Sequence, residues 1–508
     1  MILSKEQQDI IKASGNIVVK ASAGTGKTFT LVTKINNDLE KNSSHKVFAA
    51  VTFTIKATQE LKDRLHICQT SSSPFIGTIN NFALEEVVKP FIQDALGDQF
   101  NIEDIETDYS KKIYSFNEGL EEIKTNHTIC SFDSKSNKNN FIFDLALKII
   151  KSSRACQLFL QAKYNHIYID EYQDCDESMH NFFMYLCDAL KIETFVVGDY
   201  KQSIYTWRGS NPKLFKEICE KKSFTCFTIT SNYRSSLQIQ NYCNLLYDET
   251  KYLYTEQNTT NNVILIFSDV SDWHKKVLQH IDKDKNCVLL RYKRQDAESC
   301  ATSLTKSSGI NFTYIAQPPI SDIVNNNSWL YQVIAKYLIL HNTSGYDIIY
   351  GLQDSDLASR THASTLNTML SNIKNNLNNK NKFCISVELI FKKVNLTSNN
   401  RDIDLLFKTV TNNIYRPYFE QSQYKNTSMT FHSSKGLEFD QVILFAKDYP
   451  LNTPDSICNH YVAATRAKHK LILIMLNEID SDRYLANINK IYKLRNIDIR
   501  KVINFVHQ

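Results

Sequence analysis

Apolar residues along the chain gather in short β-rich runs, several followed by residues at helical spacing. Asn16-Ile17-Val18-Val19 precedes a glycine-containing loop, after which Leu31, Val32 and Ile35 recur on one helix face. Val47 to Val51 forms a second such run, followed by Ala57, Leu61 and Leu65. Ile167-Tyr168-Ile169 and Phe195-Val196-Val197 both run toward acidic residues. Later runs are Phe224 to Ile229, Val263 to Phe267, Val288 to Leu290, Val442 to Phe445 and Leu471 to Met475. Strands alternating with helices predict parallel α/β sheets, and the polar stretches between two groups of strands predict two of them. Residues 85–155 interrupt the rhythm with a mostly helical pattern. Residues 346–424 are polar and asparagine-rich, as in Asn372-Ile373-Lys374-Asn375-Asn376, and read as solvated helix or loop.

Composition narrows the class. The 508 residues are 42% hydrophobic and 22% charged, enough to bury a large core, and length suggests several domain-sized units. Only 12 residues are glycine, where average usage of roughly 7% would give about three dozen. That excludes collagen-like and glycine-linker architectures and draws attention to where glycine is used. A net charge of +5 is too small to argue for nucleic acid by itself. The 12 cysteines are scattered without a C-x-x-C pair, as expected of reduced thiols in a cytoplasmic protein. No apolar run reaches the roughly 18 residues of a membrane span, and the N-terminus does not read as a signal peptide, so no membrane partner is expected.

Three segments carry chemistry. Ala21-Ser22-Ala23-Gly24-Thr25-Gly26-Lys27-Thr28 leaves a strand and opens a helix, the setting that a phosphate-binding loop requires, with Ala21 where the general pattern has glycine. Backbone N–H groups from Ala23, Gly24, Thr25 and Gly26 can point at a triphosphate, helped by the helix dipole. Lys27 would reach the β- and γ-phosphates of ATP, and the Thr28 hydroxyl would ligate Mg²⁺. Such a loop needs an acid at the end of another strand. Asp170-Glu171-Tyr172-Gln173-Asp174 offers Asp170 to hold Mg²⁺ and Glu171 as general base toward water. The third segment, Gly198-Asp199-Tyr200-Lys201-Gln202-Ser203-Ile204-Tyr205-Thr206-Trp207-Arg208-Gly209-Ser210, also leaves a strand. There Gln202 can contact a γ-phosphate or water, and Tyr205 and Trp207 present faces on which bases stack.

With these segments in this order, the chain resembles a superfamily 1A helicase of the UvrD/Rep type from residue 3 to residue 468. Leu3-Ser4-Lys5-Glu6-Gln7 resembles the Q-motif, implying that Gln7 reads the adenine edge. Thr52-Phe53-Thr54-Ile55-Lys56-Ala57 resembles motif Ia and Gly77-Thr78-Ile79-Asn80-Asn81-Phe82 motif Ib, with Asn80 where the family usually has His. Residues 170–174 and 198–210 match motifs II and III. Ser231-Asn232-Tyr233-Arg234-Ser235 resembles motif IV, implying that Tyr233 stacks on adenine and Arg234 meets the γ-phosphate. Met429 to Phe439 resembles motif V, implying Glu438 toward the nucleotide and Thr430, His432 and Lys435 near DNA or the lobe interface. Tyr461 to Lys468 resembles motif VI, making Arg466 a second arginine finger. The resemblance implies that Lys27, Asp170, Glu171, Gln202, Arg234 and Arg466 carry catalysis. It implies that Thr52, Phe53, Thr78, Tyr205, Trp207 and Arg208 line single-stranded DNA.

The implied fold is α/β, with two RecA-like parallel-sheet lobes and small, mainly helical insertions. Lobe 1A takes residues 1–84 and 156–222 around insertion 1B at 85–155. Lobe 2A takes 223–345 and 425–508 around a reduced insertion 2B at 346–424. The implied function is ATP-dependent 3′-to-5′ translocation on single-stranded or 3′-tailed DNA, with unwinding. Departures are Phe29, where Arg often follows the loop threonine, and the short insertions. Only 91 residues lie between Thr78 and Asp170, 195 between Arg234 and Thr430, and 40 after residue 468. That compactness resembles the UvrD-like subunits of Gabija-type defence systems. It supports an alternative, a DNA-sensing ATPase subunit of a repair or defence complex with a separate nuclease or other protein partner and little unwinding of its own.

Overall fold

A computed structural model describes residues 3–65, 74–101, 105–133, 138–257, 261–323, 327–352 and 360–506. Its strands are β1 (Ile17–Ala21), β2 (Val47–Thr52), β3 (Phe75–Thr78), β4 (Glu106–Ile113), β5 (Thr128–Phe132), β6 (Tyr164–Ile169), β7 (Glu193–Gly198) and β8 (Thr225–Ile229). They continue as β9 (Val263–Ser268), β10 (Cys287–Arg291), β11 (Thr313–Tyr314), β12 (Asn426–Thr430), β13 (Phe439–Phe445), β14 (Ala467–Leu476) and β15 (Asn504–Val506). The chain divides into two compact units, residues 1–273 with 435–508, and residues 274–434.

The first unit contains a parallel sheet in the order β3-β2-β6-β7-β1-β8 among the described residues. Its central strands are near-continuous apolar runs because helices cover both faces, as parallel sheets demand. One face packs on Phe82, Phe143, Ile149 and Phe182, the other on Ile10, Leu31 and Ile35. The carboxyl ends of β6, β7 and β1 lie side by side, where ligands of open α/β sheets bind. Strand β8 joins this sheet beside β1.

The described residues between 85 and 155 are mainly helical, with the parallel pair β4–β5 in addition. The run Glu106-Thr107-Asp108-Tyr109-Ser110-Lys111-Lys112-Ile113 hides from pattern reading because most of it faces outward or is half-buried. Also in the first unit, β13, β14, β9 and β15 pair in parallel in that order.

The second unit holds β10, β12 and β11, again parallel, and a helical cluster around Leu330, Ile334, Phe383, Phe391 and Leu406. The described residues of the asparagine-rich tract are mainly helical. Asn379 and Asn399 cap the helices Lys380–Lys393 and Asn400–Thr411 by accepting from the Lys382 and Asp402 N–H groups. Asn379 and Asn399 therefore mark helix starts, where the short side-chain oxygen replaces a missing carbonyl.

Behind β14 lies a buried polar knot. Tyr242 Oη bonds His460 Nε2 and, at 2.5 Å, Tyr484 Oη. Burial pushes the His460 imidazole down to about 3, so it is neutral in the folded chain. In the unfolded chain it titrates near 6.5, so this contribution to stability is whole above about pH 6.5 and is lost as pH falls toward 3. His460→Phe is expected to flatten urea-derived stability between about pH 7 and pH 5 by roughly 2 kcal/mol. Equal pH slopes for the two proteins would contradict the assignment.

Candidate nucleotide and DNA site

The site forms where β1, β6 and β7 end. After β1 the backbone turns through Gly24 and Gly26, at φ +77° and +81°, before the helix Lys27–Lys41. A Cβ on Gly24 would lie 2.6 Å from Asn232 Oδ1 and 2.8 Å from Arg234 Cβ, so glycine is required by both conformation and space. The loop is already held by the segment 231–235. Asn232 Nδ2 donates to the Ala23 carbonyl at 3.0 Å, and the Tyr233 N–H donates to the Gly24 carbonyl at 2.9 Å. The Ala23 N–H faces Tyr461 Oη at 3.4 Å, and Thr25 donates to the Ser22 carbonyl at 2.8 Å.

After β6, Asp170 is buried and its Oδ1 accepts from the Glu171 N–H at 2.8 Å. Glu171 adopts φ +54°, an uncommon conformation for a side-chain-bearing residue, and turns its carboxylate toward the phosphate loop. Lys27 Nζ stands 3.8 Å from one oxygen and Lys435 Nζ 3.9 Å from the other. Gln173 Nε2 also donates to Glu171. Burial would raise Glu171, but Lys27 and Lys435 overbalance it and hold the carboxyl below the usual range, as suits a base that must be ionised. Asp170 goes the other way, raised by burial and by the neighbouring Glu171 charge. A divalent cation would relieve that cost. The buried, charge-crowded carboxylate and the glycine cradle therefore fit Mg²⁺ and a nucleoside triphosphate, and Asp170 and the expected Thr28 are the residues that would hold the ion.

After β7, Gln202 Nε2 donates to Asp199 Oδ2 at 2.8 Å and its Oε1 accepts from Arg466 Nη2 at 3.2 Å. Arg466 is fixed by the carbonyls of Val462 at 2.9 Å and Leu437 at 3.4 Å. Arg234 donates through Nε to Glu438 at 2.7 Å and through Nη1 to the Thr465 carbonyl at 3.3 Å, and Lys468 lies 3.3 Å from the same glutamate. Arg234 thus stands beside the phosphate loop at Gly24, and Arg466 beside Gln202. Gln7 is buried with its amide committed: Oε1 accepts from Ser4 N–H at 3.0 Å, and Nε2 donates to Thr30 at 3.1 Å and the Thr25 carbonyl at 3.4 Å. It anchors the first helix to the loop.

The expected DNA-facing residues separate into groups. Trp207 is 64% exposed and Tyr233, beside the nucleotide loop, 54%. The Arg208 guanidinium covers the Trp207 and Tyr205 rings at 4.6 and 5.3 Å. Phe53 is half-buried against the core, and Thr52 is buried with its hydroxyl 2.7 Å from Thr58. Thr78 caps a short helix by accepting from the Asn81 N–H at 3.3 Å. In the second unit, Thr430 bonds Ser433 at 2.9 Å and His432 packs on Phe431. Lys435 lies inside the nucleotide site, paired with buried Asp174 and 4.8 Å from the Tyr205 ring. Asn232, Gln173, Tyr461 and Lys201 are further site residues that pattern reading passed over, although each lies within a motif-bearing segment.

Residues 3–141 and 101–224 match the UvrD/REP helicase N-terminal domain, and residues 427–474 the UvrD-like helicase C-terminal domain. The chain belongs to the UvrD/Rep family of DNA helicases. It is 38% identical over 503 residues to Gabija protein GajB of Bacillus cereus (strain VD045), covering 97% of this chain and 99% of that protein. It is 29% identical over 291 residues to a probable DNA helicase II homolog of Mycoplasma capricolum, 48% of this chain and 40% of the relative. With ATP-dependent DNA helicase Rep of Escherichia coli it shares 25% over 300 residues, 50% of this chain and 44% of Rep. The chain therefore spans less than half the length of those two helicases. No helix among the described residues is long and apolar enough to cross a membrane.

Lys435→Met is expected to destabilise the protein by about 3–5 kcal/mol in chemical denaturation, because Asp174 and Glu171 lose a buried cation. Unchanged stability with weaker DNA binding alone would place the ammonium on DNA instead.

Proposed function

We propose that the chain is a DNA-dependent ATPase that moves 3′ to 5′ along single-stranded DNA and unwinds duplex. The observation that carries this reading is the convergence of the phosphate loop, Asp170, an ionised Glu171 and the arginines Arg234 and Arg466 on one cleft of the first unit. In this reading Glu171 accepts a proton from the attacking water, which its low carboxyl value and two ammonium neighbours prepare it to do as an ionised base. Lys27, Arg234 and Arg466 stabilise charge developing on the phosphoryl oxygens. Thr28 and Asp170 would hold Mg²⁺, which when bound would offset the charge of the phosphates. Gln202, bonded to Arg466, links that chemistry to the Tyr205–Trp207 stacking surface, so that turnover is felt where bases are gripped. The division into lobes 1A and 2A with insertions 1B and 2B, and a cytoplasmic setting, belong to the same proposal.

Lys27→Ala or Glu171→Gln is expected to lower DNA-stimulated ATP turnover at least about a hundredfold while circular dichroism stays unchanged. Undiminished turnover in either variant refutes the assignment.

A second reading has its own support. The near-complete two-way coverage with a Gabija protein, against half-coverage with the helicases, favours a DNA-sensing ATPase subunit of a defence complex that includes a nuclease. Strand displacement by the isolated chain separates the two. The motor reading expects ATP-dependent opening of a 3′-tailed duplex and not of a 5′-tailed one. ATP turnover without displacement of either supports the subunit reading.

A further inference from the structure

Lys201 is a buried cation in a place where a bulky polar side chain is costly. Its ammonium donates to Ser22 Oγ, in the phosphate loop, at 2.9 Å and lies 3.2 Å from Asp199 Oδ1. The rings of Tyr200 and Tyr461 cover it at 5.2 and 5.7 Å. A buried ammonium persists only when paired and hydrogen-bonded, and here the pairing partner is itself part of the site.

Asp199 has two oxygens with two duties. One faces Lys201, and the other accepts from Gln202 Nε2 at 2.8 Å. An ionised carboxylate can only accept, so the amide NH₂ of Gln202 must face Asp199 and its carbonyl oxygen must face away. That oxygen is the one that receives Arg466 Nη2 at 3.2 Å. The orientation of Gln202 toward the arginine is therefore set by the charge on Asp199, which Lys201 keeps compensated inside the protein. The same Asp199 accepts no help from its backbone N–H, which is spent on Gln173 Oε1 at 2.9 Å, the residue whose other end donates to Glu171.

We propose that Lys201 is a positioning residue that couples the phosphate loop to the arginine finger through the chain Ser22–Lys201–Asp199–Gln202–Arg466. A displacement of Ser22 when phosphates enter the loop reaches Arg466 through four polar contacts, each with fixed donor and acceptor sense. Lys201 itself touches neither nucleotide nor DNA in this scheme. Its effect is on how well Gln202 and Arg466 are aimed in the transition state, so it belongs to kcat rather than to nucleotide affinity. The inference rests on the ATP-driven activity proposed above.

The test uses the full chain with Mg²⁺, ATP and single-stranded DNA, comparing wild type with Lys201→Met, Asp199→Asn, the double variant and Ser22→Ala. Lys201→Met is expected to lower DNA-stimulated kcat about tenfold or more with KM for ATP within about threefold of wild type. The double variant should be no worse than Lys201→Met, since both break one chain, and Ser22→Ala should lower kcat by about threefold. If Lys201→Met does not fold, the double variant, which buries no unpaired charge, and Ser22→Ala carry the comparison. Unchanged kcat, single losses that multiply, or a raised KM at constant kcat would overturn the coupling role. A wild-type chain that hydrolyses no ATP would instead overturn the proposed function and this inference with it.

Discussion

The placement of one carboxylate governs the rest of the site. Glu171 sits between two ammonium groups, Lys27 from the phosphate loop and Lys435 from beyond β12, and Gln173 steadies it. Holding it there takes a left-handed backbone at a residue with a side chain, and such strain persists only where the surroundings over-determine it. The surroundings do so because Lys435 also pairs with buried Asp174, which burial pushes up to about 6 against the pull of that lysine. Neither lysine could be so deeply placed without the acids, nor the acids without the lysines.

Sheet order explains why these groups meet at all. Strands β6, β7 and β1 are neighbours, so three loops distant in sequence leave the sheet at one edge. Each delivers one function: the acid pair, the Gln202 segment and the phosphate cradle. The arginines arrive from the segments after β8 and before β14, and both reach backbone carbonyls or acids that aim them. Arg466 is fully enclosed, and burial lowers its guanidinium to about 10, still charged at neutral pH. Burying so much charge costs stability, which fits a site shaped for turnover rather than for a maximally stable fold.

Much of this was legible in the sequence, for a physical reason. Phosphate loops need glycine where backbone must pass close to other atoms, and a chain with so few glycines leaves Gly24 and Gly26 conspicuous. Strands buried on both faces read as apolar runs, so β1, β2, β6 and β7 were plain. The polar pair β4–β5 was not, because its outward faces carry lysine, serine and acids. Side-chain direction was also hidden. Lys435 reads by its motif as near DNA or the lobe interface, and only the structure shows its ammonium turned to Asp174. Gln7 reads as a nucleotide sensor, yet its amide is tied to Ser4, Thr25 and Thr30. Lys201 gave no signal, since a lysine between a tyrosine and a glutamine looks solvated until the tertiary structure encloses it.

If one cleft couples nucleotide to DNA through these contacts, the coupling must be reciprocal. Titrating a fluorescent non-hydrolysable ATP analogue with Mg²⁺ into the protein, with and without saturating single-stranded DNA, tests this most directly. DNA is expected to tighten analogue binding by about fivefold or more, and the analogue to tighten DNA binding by the same factor. Affinities that are independent of one another would contradict it.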